Sequence, residues 1–584
     1  YPLGSGDVVY FALAVSESVN DALIKVKDYL RSVDDVLRRS EEDYERRRVK
    51  VTGGEFNGVA QAIMDAVSWN TVWDPYNARM YTVVSREWAS GPWFGYLLPE
   101  WDTFFNALLA SVGDCEIAEA NIKSMLSEIL PRGVVPNWAG LRMGVRGRAS
   151  ADRAQPPVAS YITWRVYLKC GDLMMLKWAY PYLKRFHEWW FKARDGNNDG
   201  LLEWGSDPVG GDKSRHTLQA AKFESGLDNS PMYDDAEFFG ERNVMNIIDV
   251  GLNSLYALDA LSLSLIASEL NLVNDAEAFR REYEEVKRRI NEVLWSEDNG
   301  IYLNKYWSGA FSNRKSPTCL YPLTAGIPNM ERADRIVKEH LLNPREFWGE
   351  YVIPSISRDD PAYRDNDYWR GRIWGPMNYI VYEGLRRYGF DEVAYEFALK
   401  SVKLFMGEWL KNGHYHENYN AETGEGDDVP NSDPYYSWGA LLALIGLEEL
   451  ISVDENGINF GSLSIKDVNE VDNYVIGRDS YSVKVGPSIL EAYRNGELFL
   501  RANKAIAVRG YRRFGNYVEF NVKGRGLVSL SVIEFNPNEH AVACIDGKCG
   551  EAVADSNGAV NLNIDFKEGE VKHVMIMRFK VKCT

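Results

Sequence analysis

The helices predicted between residues 56 and 451 are joined by connections that are alternately long and short. This alternation restricts the possible folds more than any other feature of the sequence. Apolar spacing, capping residues and Gly/Pro breaks predict helices near 56–70, 101–113, 115–130, 157–169, 173–193, 243–269, 274–296, 320–328, 331–341, 373–388, 391–410 and 434–451. The long connections cover roughly 71–100, 131–156, 194–242, 297–319, 342–372 and 411–433. If successive helices run antiparallel, all of these long loops lie on one side of the molecule.

The helix faces divide the predicted helices into an inner and an outer set. The stretch 274–296 has a single apolar stripe and charged residues elsewhere, which is typical of an outer helix. The stripe consists of Ala276, Phe279, Tyr283, Val286, Ile290 and Val293. The preceding stretch, 243–269, has few charges and must be covered on most sides. Inner and outer helices in alternation predict a mainly α fold, an (α/α)6 toroid (barrel) over 56–453, with the functional loops on one face.

The patterning changes on either side of this helical region. After Asp454, short alternating runs are separated by segments rich in Gly, Asn and Asp, which predicts a C-terminal β-sandwich over 454–584. Before it, the highly charged stretch 19–55 predicts a linker helix. Residues 7–16 predict one apolar strand.

Composition limits the partners. Lys and Arg number 66 against 84 Asp and Glu, a net charge of −18, and so acidic a surface repels phosphate backbones. We therefore expect no nucleic-acid partner and no membrane partner, and no run of about 18 apolar residues predicts a transmembrane helix. Aromatic residues make up 13% of the chain, and because aromatic faces bind the C–H faces of sugars, they hint at a carbohydrate. Since the chain opens at Tyr1, we expect its natural start to be missing or processed; the compartment stays open, with the cytoplasm slightly favoured.

The six cysteines are too few and too scattered to predict a disulfide framework, and they lack zinc-ligand spacing with histidine. Residues 544–549 are a separate case, because Asp546-Gly547 predicts the turn of a hairpin. Cys544 and Cys549 then form the closer, non-hydrogen-bonded pair, whose spacing suits a cross-strand disulfide. The alternative is two free thiols in a reducing cytoplasm.

The long loops hold clusters that mix carboxylate, Trp and amide groups. These clusters are Trp73-Asp-Pro-Tyr-Asn77, Glu100-Trp-Asp102, Asn137-Trp138, Gln155-Pro-Pro157, Glu224-Ser-Gly-Leu-Asp-Asn-Ser-Pro231, Tyr368-Trp-Arg-Gly-Arg-Ile-Trp374 and His416-Glu-Asn-Tyr-Asn420. Such groups bind sugar hydroxyls and flank a glycosidic bond. An isolated loop carboxylate is usually a turn or cap residue, but several clusters on one face of a toroid indicate a site.

In their order and spacing these motifs resemble glycoside hydrolase family 63, which includes processing α-glucosidase I and the mannosylglycerate and glucosylglycerate hydrolases and is similar to trehalases. The resemblance spans residues 56–451. It implies an inverting mechanism with Asp228 as general acid and Glu417 as general base. It also implies sugar-binding roles for Trp101, Asp102, Gln155, Arg370, Trp374 and Glu224. The loop clusters add Trp73 and Asn137 as expected substrate-binding residues.

Alternatives stay open at several of these positions. Asp228 also suits an Asx-turn, and Glu422 and Glu425 compete with Glu417 for the role of base. Trp101 and Trp374 also suit an aromatic core. Members of the family usually carry an N-terminal β-domain, of which residues 1–18 are then a remnant strand, and this departure leaves the leaving-group preference open.

The expected activity is an exo-acting inverting α-glycosidase, without metal or cofactor, that releases a terminal α-glucosyl residue from a small oligosaccharide. Mannosylglycerate, glucosylglycerate or trehalase-like hydrolysis is the enzymatic alternative. A glycerate leaving group needs a cationic clamp, for which one loop offers Arg142, Arg146, Arg148 and Arg153, although such a group is more often a solvated face. Other classes are a polysaccharide lyase, detected by an ultraviolet-absorbing product, and a non-catalytic carbohydrate-binding protein.

Two motifs suggest metals. Residues 195–200 place Asp, Asn and Asp at alternate positions before Gly200, as a calcium loop does, but position twelve is Ser206 rather than Glu, so a simple turn is favoured. His414 and His416 directly precede the predicted base. With no third His or Cys nearby, they are interpreted as sugar-contacting or packing residues rather than metal ligands.

Overall fold

The computed structural model describes residues 9–89, 95–142, 145–146 and 150–579. The chain divides into two compact units, Tyr1–Val49 and Lys50–Thr584. In the first unit, residues 9–16 have no regular secondary structure, and the rest of the predicted strand lies outside the described residues. In place of one linker helix there are two, Val19–Arg31 and Val33–Arg47, because the first ends at Ser32.

The helical part of the second unit follows the predicted order. Its α-helices are Val59–Asn70, Glu100–Ala110, Cys115–Leu126, Ala159–Cys170, Leu173–Arg194, Leu218–Glu224, Val250–Glu269, Val273–Val293, Tyr321–Thr324, Met330–Arg335, Gly375–Arg387, Asp391–Asn412 and Leu441–Leu450. Short 3-10 turns at Pro317–Leu320 and Ser437–Ala440 precede two of them, and a π-helical turn, Ile336–Leu341, follows another. Each predicted helical stretch therefore contains a helix, and a further helix, Leu218–Glu224, lies within the predicted connection 194–242.

The predicted starts of two helices, at 243 and 434, were wrong, because the α-helices begin at Val250 and Leu441. Residues 244–248 form two short strands, Val244–Met245 and Ile247–Ile248, and the helix begins only at Val250. Asp249 is the N-cap, because its side chain accepts a hydrogen bond from the Leu252 amide. An apolar run alone does not distinguish buried strand from buried helix, so the cap decides where the helix starts.

The predicted division into inner and outer helices is visible in the burial. Almost every residue of Val250–Glu269 is buried, whereas Val273–Val293 buries one stripe. The buried stripe contains Ala276, Phe279, Tyr283, Val286 and Ile290. Val250–Glu269 is also long and apolar enough to cross a membrane, but 94% of its apolar window is covered by the rest of the protein, as in a core helix.

The inner helices contact one another in chain order. The contacts run through Glu100–Ala110, Ala159–Cys170, Val250–Glu269, Tyr321–Thr324, Gly375–Arg387 and Leu441–Leu450, and the last of these contacts the first. Helices outside this series pack against its members, as Cys115–Leu126 does against Glu100–Ala110.

The long connections carry short antiparallel strands. These are Thr71–Asp74 with Arg79–Thr82, Gly95–Pro99 with Trp138–Arg142 and Val145–Arg146, Phe238–Phe239 with Val244–Met245, Trp295–Ser296 with Ile301–Tyr302, Ile247–Ile248 with Lys305–Tyr306, and Ile373–Trp374 with Asn418–Tyr419. The last pair joins the loop of Tyr368 to the loop of Glu417.

The C-terminal region contains two antiparallel seven-stranded sheets. One has the order Lys50–Thr52, Asn469–Ile476, Asp479–Gly486, Ile489–Arg494, Glu497–Ala502, Gly526–Ile533 and Ala559–Phe566; the other has Ile451–Asp454, Gly457–Phe460, Ala507–Arg513, Tyr517–Lys523, Val571–Arg578, His540–Ile545 and Lys548–Val553. Phe499 of the first sheet contacts Phe460 and Tyr511 of the second. The expected sheet-rich C-terminal region is confirmed, with a first strand contributed from residues 50–52.

Two disulfides are present in the described residues. Cys544 and Cys549 are paired across the hairpin, as predicted, with positive φ at Asp546 and Gly547. Cys115 and Cys170 form a second disulfide that the sequence analysis missed. It joins the start of helix Cys115–Leu126 to the end of helix Ala159–Cys170, a proximity that only the fold creates.

Candidate active site

Glu417 is buried at the start of the strand Asn418–Tyr419, and its neighbours fix both its carboxylate and its backbone. The Tyr368 hydroxyl donates to Oε1 at 3.0 Å, and the indole of Trp438 donates to the backbone carbonyl at 3.0 Å. Burial raises the pKa of Glu417 well above its usual value, and the charge of Asp433 adds to this, while the Tyr368 hydrogen bond opposes it. Glu422 and Glu425, the competing candidates, are both exposed.

Asp228 follows the helix Leu218–Glu224 on a tightly bonded loop. Gln219 donates to the backbone carbonyl of Asp228 at 2.9 Å, and the adjacent Asn229 accepts from the Trp369 amide at 2.9 Å. This second bond ties the Asp228 loop to the loop of Tyr368. Burial raises the pKa of Asp228 to about 7, against the opposing charge of Arg153.

A third carboxyl, Asp102, belongs to the same group. It lies in the first turn of Glu100–Ala110 and accepts a hydrogen bond from the Tyr436 hydroxyl at 2.7 Å. Burial raises the pKa of Asp102 to about 7, and the charge of Asp228 contributes. The charges of Glu417, Asp228 and Asp102 all act on the Tyr368 phenol, whose own pKa is raised by burial and by these charges. The structure thus brings three carboxyls from separate segments, two loops and one helix start, near one tyrosine.

Four tryptophans pack behind these carboxyls. Trp369 and Trp374 stack with ring centroids 3.6 Å apart, and Trp101 and Trp438 contact the stack edge-on or tilted. Trp101 is 2% exposed and Trp374 is fully buried, so both lie in an aromatic core, which is the alternative considered for them. A Cβ on Gly226, at φ +68°, would stand 2.9 Å from the Trp101 ring, so only glycine lets the Asp228 loop pack this closely.

Glu224 is a buried ion-pair partner. Arg194 donates to it twice, from Nε at 2.6 Å and from Nη2 at 2.8 Å, and the amides of Ala154 and Gly205 donate to the same carboxylate. Both of its oxygens are thereby engaged by the protein. Glu224 therefore holds the loops together, which differs from the expected direct contact with a sugar.

The remaining predicted binding residues have different surroundings. Gln155 accepts from the Trp101 amide at 3.1 Å, and Asn137 donates to the backbone carbonyls of Ala154 and Phe223. Arg370 forms ion pairs of 2.7 Å with both Asp234 and Asp365. Trp73 is 61% exposed on the hairpin Thr71–Asp74 with Arg79–Thr82. Gln155 and Asn137 thus join backbone segments, whereas the Trp73 ring faces solvent.

Sequence reasoning assigned no role to Tyr368 or Tyr436, although Tyr368 stood within a recognised motif. Of the four arginines considered as a clamp, Arg153 is buried and its charge acts on Asp228. It is paired with Asp152 at 2.7 Å and Asp212 at 2.8 Å. Arg142, Arg146 and Arg148 lie in a segment whose side chains are outside the described residues.

The loop of residues 195–200 is closed by its own backbone. Asp195 accepts from the amides of Asp199 and Gly200, and Asp199 accepts from the amide of Leu201. These bonds favour the turn interpretation, because they use carboxylate oxygens that a calcium ion would need.

With the geometry of the carboxyls established, comparison with known proteins identifies the family. A family model described as the mannosylglycerate hydrolase MGH1-like glycoside hydrolase domain matches residues 96–439, more than half of the chain. The chain belongs to this family. The resemblance to glycoside hydrolase family 63 is confirmed, and this member is a glycoside hydrolase.

The sequence identity to individual relatives is low. The mannosylglycerate hydrolase of Thermus thermophilus is 25% identical over 357 residues, covering 51% of this chain and 77% of the relative. The mannosyl-oligosaccharide glucosidase of Saccharomyces cerevisiae is 24% identical over 301 residues, covering 46% of this chain but only 35% of the relative. The crystal structure of a GH63 mannosylglycerate hydrolase from Thermus thermophilus in complex with glucose aligns with a TM-score of 0.52 at 23% identity, over 66% of this chain and 98% of that one. This last similarity concerns the fold.

Proposed function

We propose that this family member is an inverting, exo-acting α-glycosidase in which Asp228 is the general acid and Glu417 the general base. The observation that carries the proposal is that one loop contacts the segments of both carboxyls: the Tyr368 hydroxyl donates to Glu417, and the amide of the adjacent Trp369 donates to Asn229, next to Asp228. Inversion requires two carboxyls on opposite sides of the sugar ring, about 6.5–9.5 Å apart, so that a water fits between base and anomeric carbon.

The acid must reach the substrate protonated. Burial raises the pKa of Asp228 to about 7, which keeps a large fraction of this carboxyl protonated near neutral pH. It can then donate its proton to the glycosidic oxygen as the bond to the anomeric carbon breaks. The Arg153 charge limits the rise, so the carboxyl can also ionise after transfer.

The base must hold a water and accept its proton. The Tyr368 hydroxyl donates to Oε1 of Glu417 and lowers the pKa of this carboxyl, although burial and the charge of Asp433 raise the pKa by more. Asn418 is 3.4 Å from Oε2 and steadies the second oxygen. The water attacks the anomeric carbon from the face opposite the leaving group, so the released sugar is the β-anomer.

The contacts of the inner helices support the expected architecture, an (α/α)6 toroid. Because Leu441–Leu450 contacts Glu100–Ala110, the series of inner helices returns to its beginning. We infer that the long loops gather at one end of this ring and bring Asp228 and Glu417 together there.

For the substrate we propose a terminal α-glucosyl residue on a small oligosaccharide, with an α-linked mannosyl- or glucosylglycerate as the second candidate. The second candidate is favoured by the similarity to the mannosylglycerate hydrolase MGH1-like domain and to the mannosylglycerate hydrolase of Thermus thermophilus.

A panel of α-linked disaccharides, including trehalose, and of glycosylglycerates tests both parts of the proposal. Proton NMR in the first minutes of turnover identifies the anomer: β-sugar supports inversion, and α-sugar contradicts it. Preference for glycosylglycerates over neutral disaccharides supports the second candidate. Absence of turnover with sugar binding indicates a carbohydrate-binding protein, and an ultraviolet-absorbing product from uronates indicates a lyase.

A further inference from the structure

Two imidazoles and two carboxylates meet beside the Glu417 loop in a group that the proposed reaction does not use. Glu408 lies near the end of helix Asp391–Asn412, and His414 and His416 directly follow this helix. Asp427 lies further along the same connection. Each of these four side chains offers one ligand atom, and the four atoms lie within 4.8 Å of one another. The sequence analysis considered only the two histidines, because the carboxylates are brought to them by the fold.

The two imidazole rings have the same orientation relative to the two carboxylates. Oε1 of Glu408 is 2.9 Å from Nδ1 of His416 and 3.5 Å from Nδ1 of His414. On the opposite side, the Asp427 carboxylate is 2.9 Å from Nε2 of His416 and 3.5 Å from Nε2 of His414. Both Nδ1 atoms therefore face one carboxylate and both Nε2 atoms face the other.

The atoms on the Glu408 side are buried without being hydrogen-bonded. Nδ1 of both histidines and Oε2 of Glu408 have no hydrogen-bond partner, although His416 is 1% exposed and the Glu408 side chain 7%. The short distance from Nδ1 of His416 to Glu408 thus lacks the alignment of a hydrogen bond. Buried polar atoms without partners are costly, and three of them on neighbouring side chains point to a missing ligand.

The spacing and chemistry match zinc. With bonds of about 2.0–2.1 Å in a tetrahedral site, neighbouring ligand atoms stand roughly 3.3 Å apart. The two distances from Oε1 of Glu408 to the histidine Nδ1 atoms, 2.9 and 3.5 Å, are close to this value. Neutral imidazole and carboxylate are ligands that zinc accepts. A ligating histidine commonly donates its other N–H to a carboxylate, and here Asp427 can accept such hydrogen bonds.

The ring of His416 is also held in place. A Cβ on Gly426 would stand 2.2 Å from Cγ of His416, so the backbone of residue 426 packs directly on the imidazole. The loop that carries Asp427 therefore lies directly against the His416 ring.

We propose that Glu408, His414 and His416, through its Nδ1, bind one zinc ion, and that Asp427 orients the two imidazoles from their Nε2 side. A water completes the tetrahedron in the fourth position. The ion joins helix Asp391–Asn412 to the loop that precedes Glu417 and thereby holds the two together. The site does not depend on the proposed catalytic roles; only its effect on the position of Glu417 rests on them.

Zinc binding to the full chain tests the proposal directly. Protein stripped with EDTA and dialysed free of chelator is titrated with Zn²⁺ against a chromophoric chelator, and bound metal is counted by mass spectrometry. We expect one equivalent, loss of binding in Glu408→Gln and His414→Gln, and an affinity about 10–100-fold weaker in Asp427→Asn. The controls Glu396→Gln, an exposed glutamate of the same helix, and His573→Gln, an exposed strand residue, keep the wild-type affinity.

Thermal unfolding supplies a second readout. Zinc that binds the folded chain raises the melting temperature with the logarithm of its concentration, and the rise is absent in His414→Gln. This variant is expected to fold, because the His414 side chain is 19% exposed. Binding below one half equivalent, or equal affinity in wild type and Glu408→Gln, overturns the proposal whatever the turnover of the enzyme.

Discussion

The hydroxyl of Tyr368 donates a hydrogen bond of 3.0 Å to Oε1 of Glu417. Tyr368 adopts a left-handed backbone conformation, with φ of +55°, which costs a bulky residue about 1–3 kcal/mol. Its backbone carbonyl accepts from the indole of Trp374 at 3.0 Å, so the aromatic core helps to hold the backbone in this conformation. This backbone conformation directs the phenol of Tyr368 toward the carboxylate of Glu417.

Tyr368→Phe should lower kcat about 10- to 100-fold, because a hydrogen bond to a charged group is worth about 1.5–3 kcal/mol. The ring is retained, so the aromatic packing and the fold should persist. Steady-state kinetics on the best glycoside substrate measure the change, with most of the effect in kcat rather than KM.

Tyr363→Phe is the matched control. Its hydroxyl contacts Glu422 and Arg358 in the same connection but does not contact Glu417. Near-normal turnover is expected from this variant. Equal losses in the two variants would mean that Tyr368 acts through general loop stability.

Asp228→Asn should reduce turnover of ordinary glycosides by about 10²- to 10⁴-fold, because the leaving oxygen no longer receives a proton. An α-glycosyl fluoride should be hydrolysed far better by comparison, since fluoride departs without protonation. The ratio of the two substrates' kcat/KM values is the measurement. The control variant Asp235→Asn, which changes an exposed acid nearby in sequence, should leave this ratio unchanged. If Asp228→Asn lost activity equally on both substrates, the result would contradict the role of Asp228 as general acid.

The pH dependence follows from the raised pKa of Asp228. Burial raises it to about 7, and the acid acts in its protonated form, so kcat/KM should fall as pH rises through about 7. Asp102, whose pKa burial also raises to about 7, has no proton-donating role in the proposal. Asp102→Asn should therefore keep the alkaline decline, and a profile that stays level up to about pH 9 in the wild type would count against Asp228 as the acid.

The same raised pKa affects stability. A carboxyl whose folded-state pKa lies above 3.8, its ordinary value, contributes stability that is full below about pH 4. This contribution is lost progressively up to about pH 7, because the unfolded chain ionises first. Asp228→Asn should therefore melt about 2 °C higher than wild type near pH 8 and equally near pH 4. Calorimetry at both pH values tests this, and a variant that is less stable near pH 8 would show that the charged carboxylate is well solvated.

Local signals predicted the regular elements well. The single apolar stripe of Val273–Val293 and the Asp546-Gly547 hairpin turn both depend on residues close in sequence, and both were confirmed. The start of Val250–Glu269 was misplaced, because the apolar run hides a change from strand to helix that Asp249 decides.

Much of the site depended on tertiary contacts that no spacing encodes. The hydrogen bond from Tyr436 to Asp102 joins residues that are more than three hundred positions apart. Trp101 and Trp374 are both buried against the same ring, that of Trp369. Motif order placed Asp228 and Glu417 in the same region, but which aromatic residues face a ligand and which form the core is decided by packing.

The two disulfides should differ in their contribution to stability. Cys115 and Cys170 are separated by 55 positions and Cys544 and Cys549 by 5. In the chain-entropy model, closing the longer loop stabilises by about 4 kcal/mol and the shorter by about 2 kcal/mol. Denaturant unfolding of Cys115→Ala/Cys170→Ala should therefore show the larger loss of unfolding free energy, with Cys544→Ala/Cys549→Ala as the comparison under the same oxidising conditions. Equal losses, or a larger loss at the hairpin, would mean that native contacts rather than loop closure set the contribution of each bond.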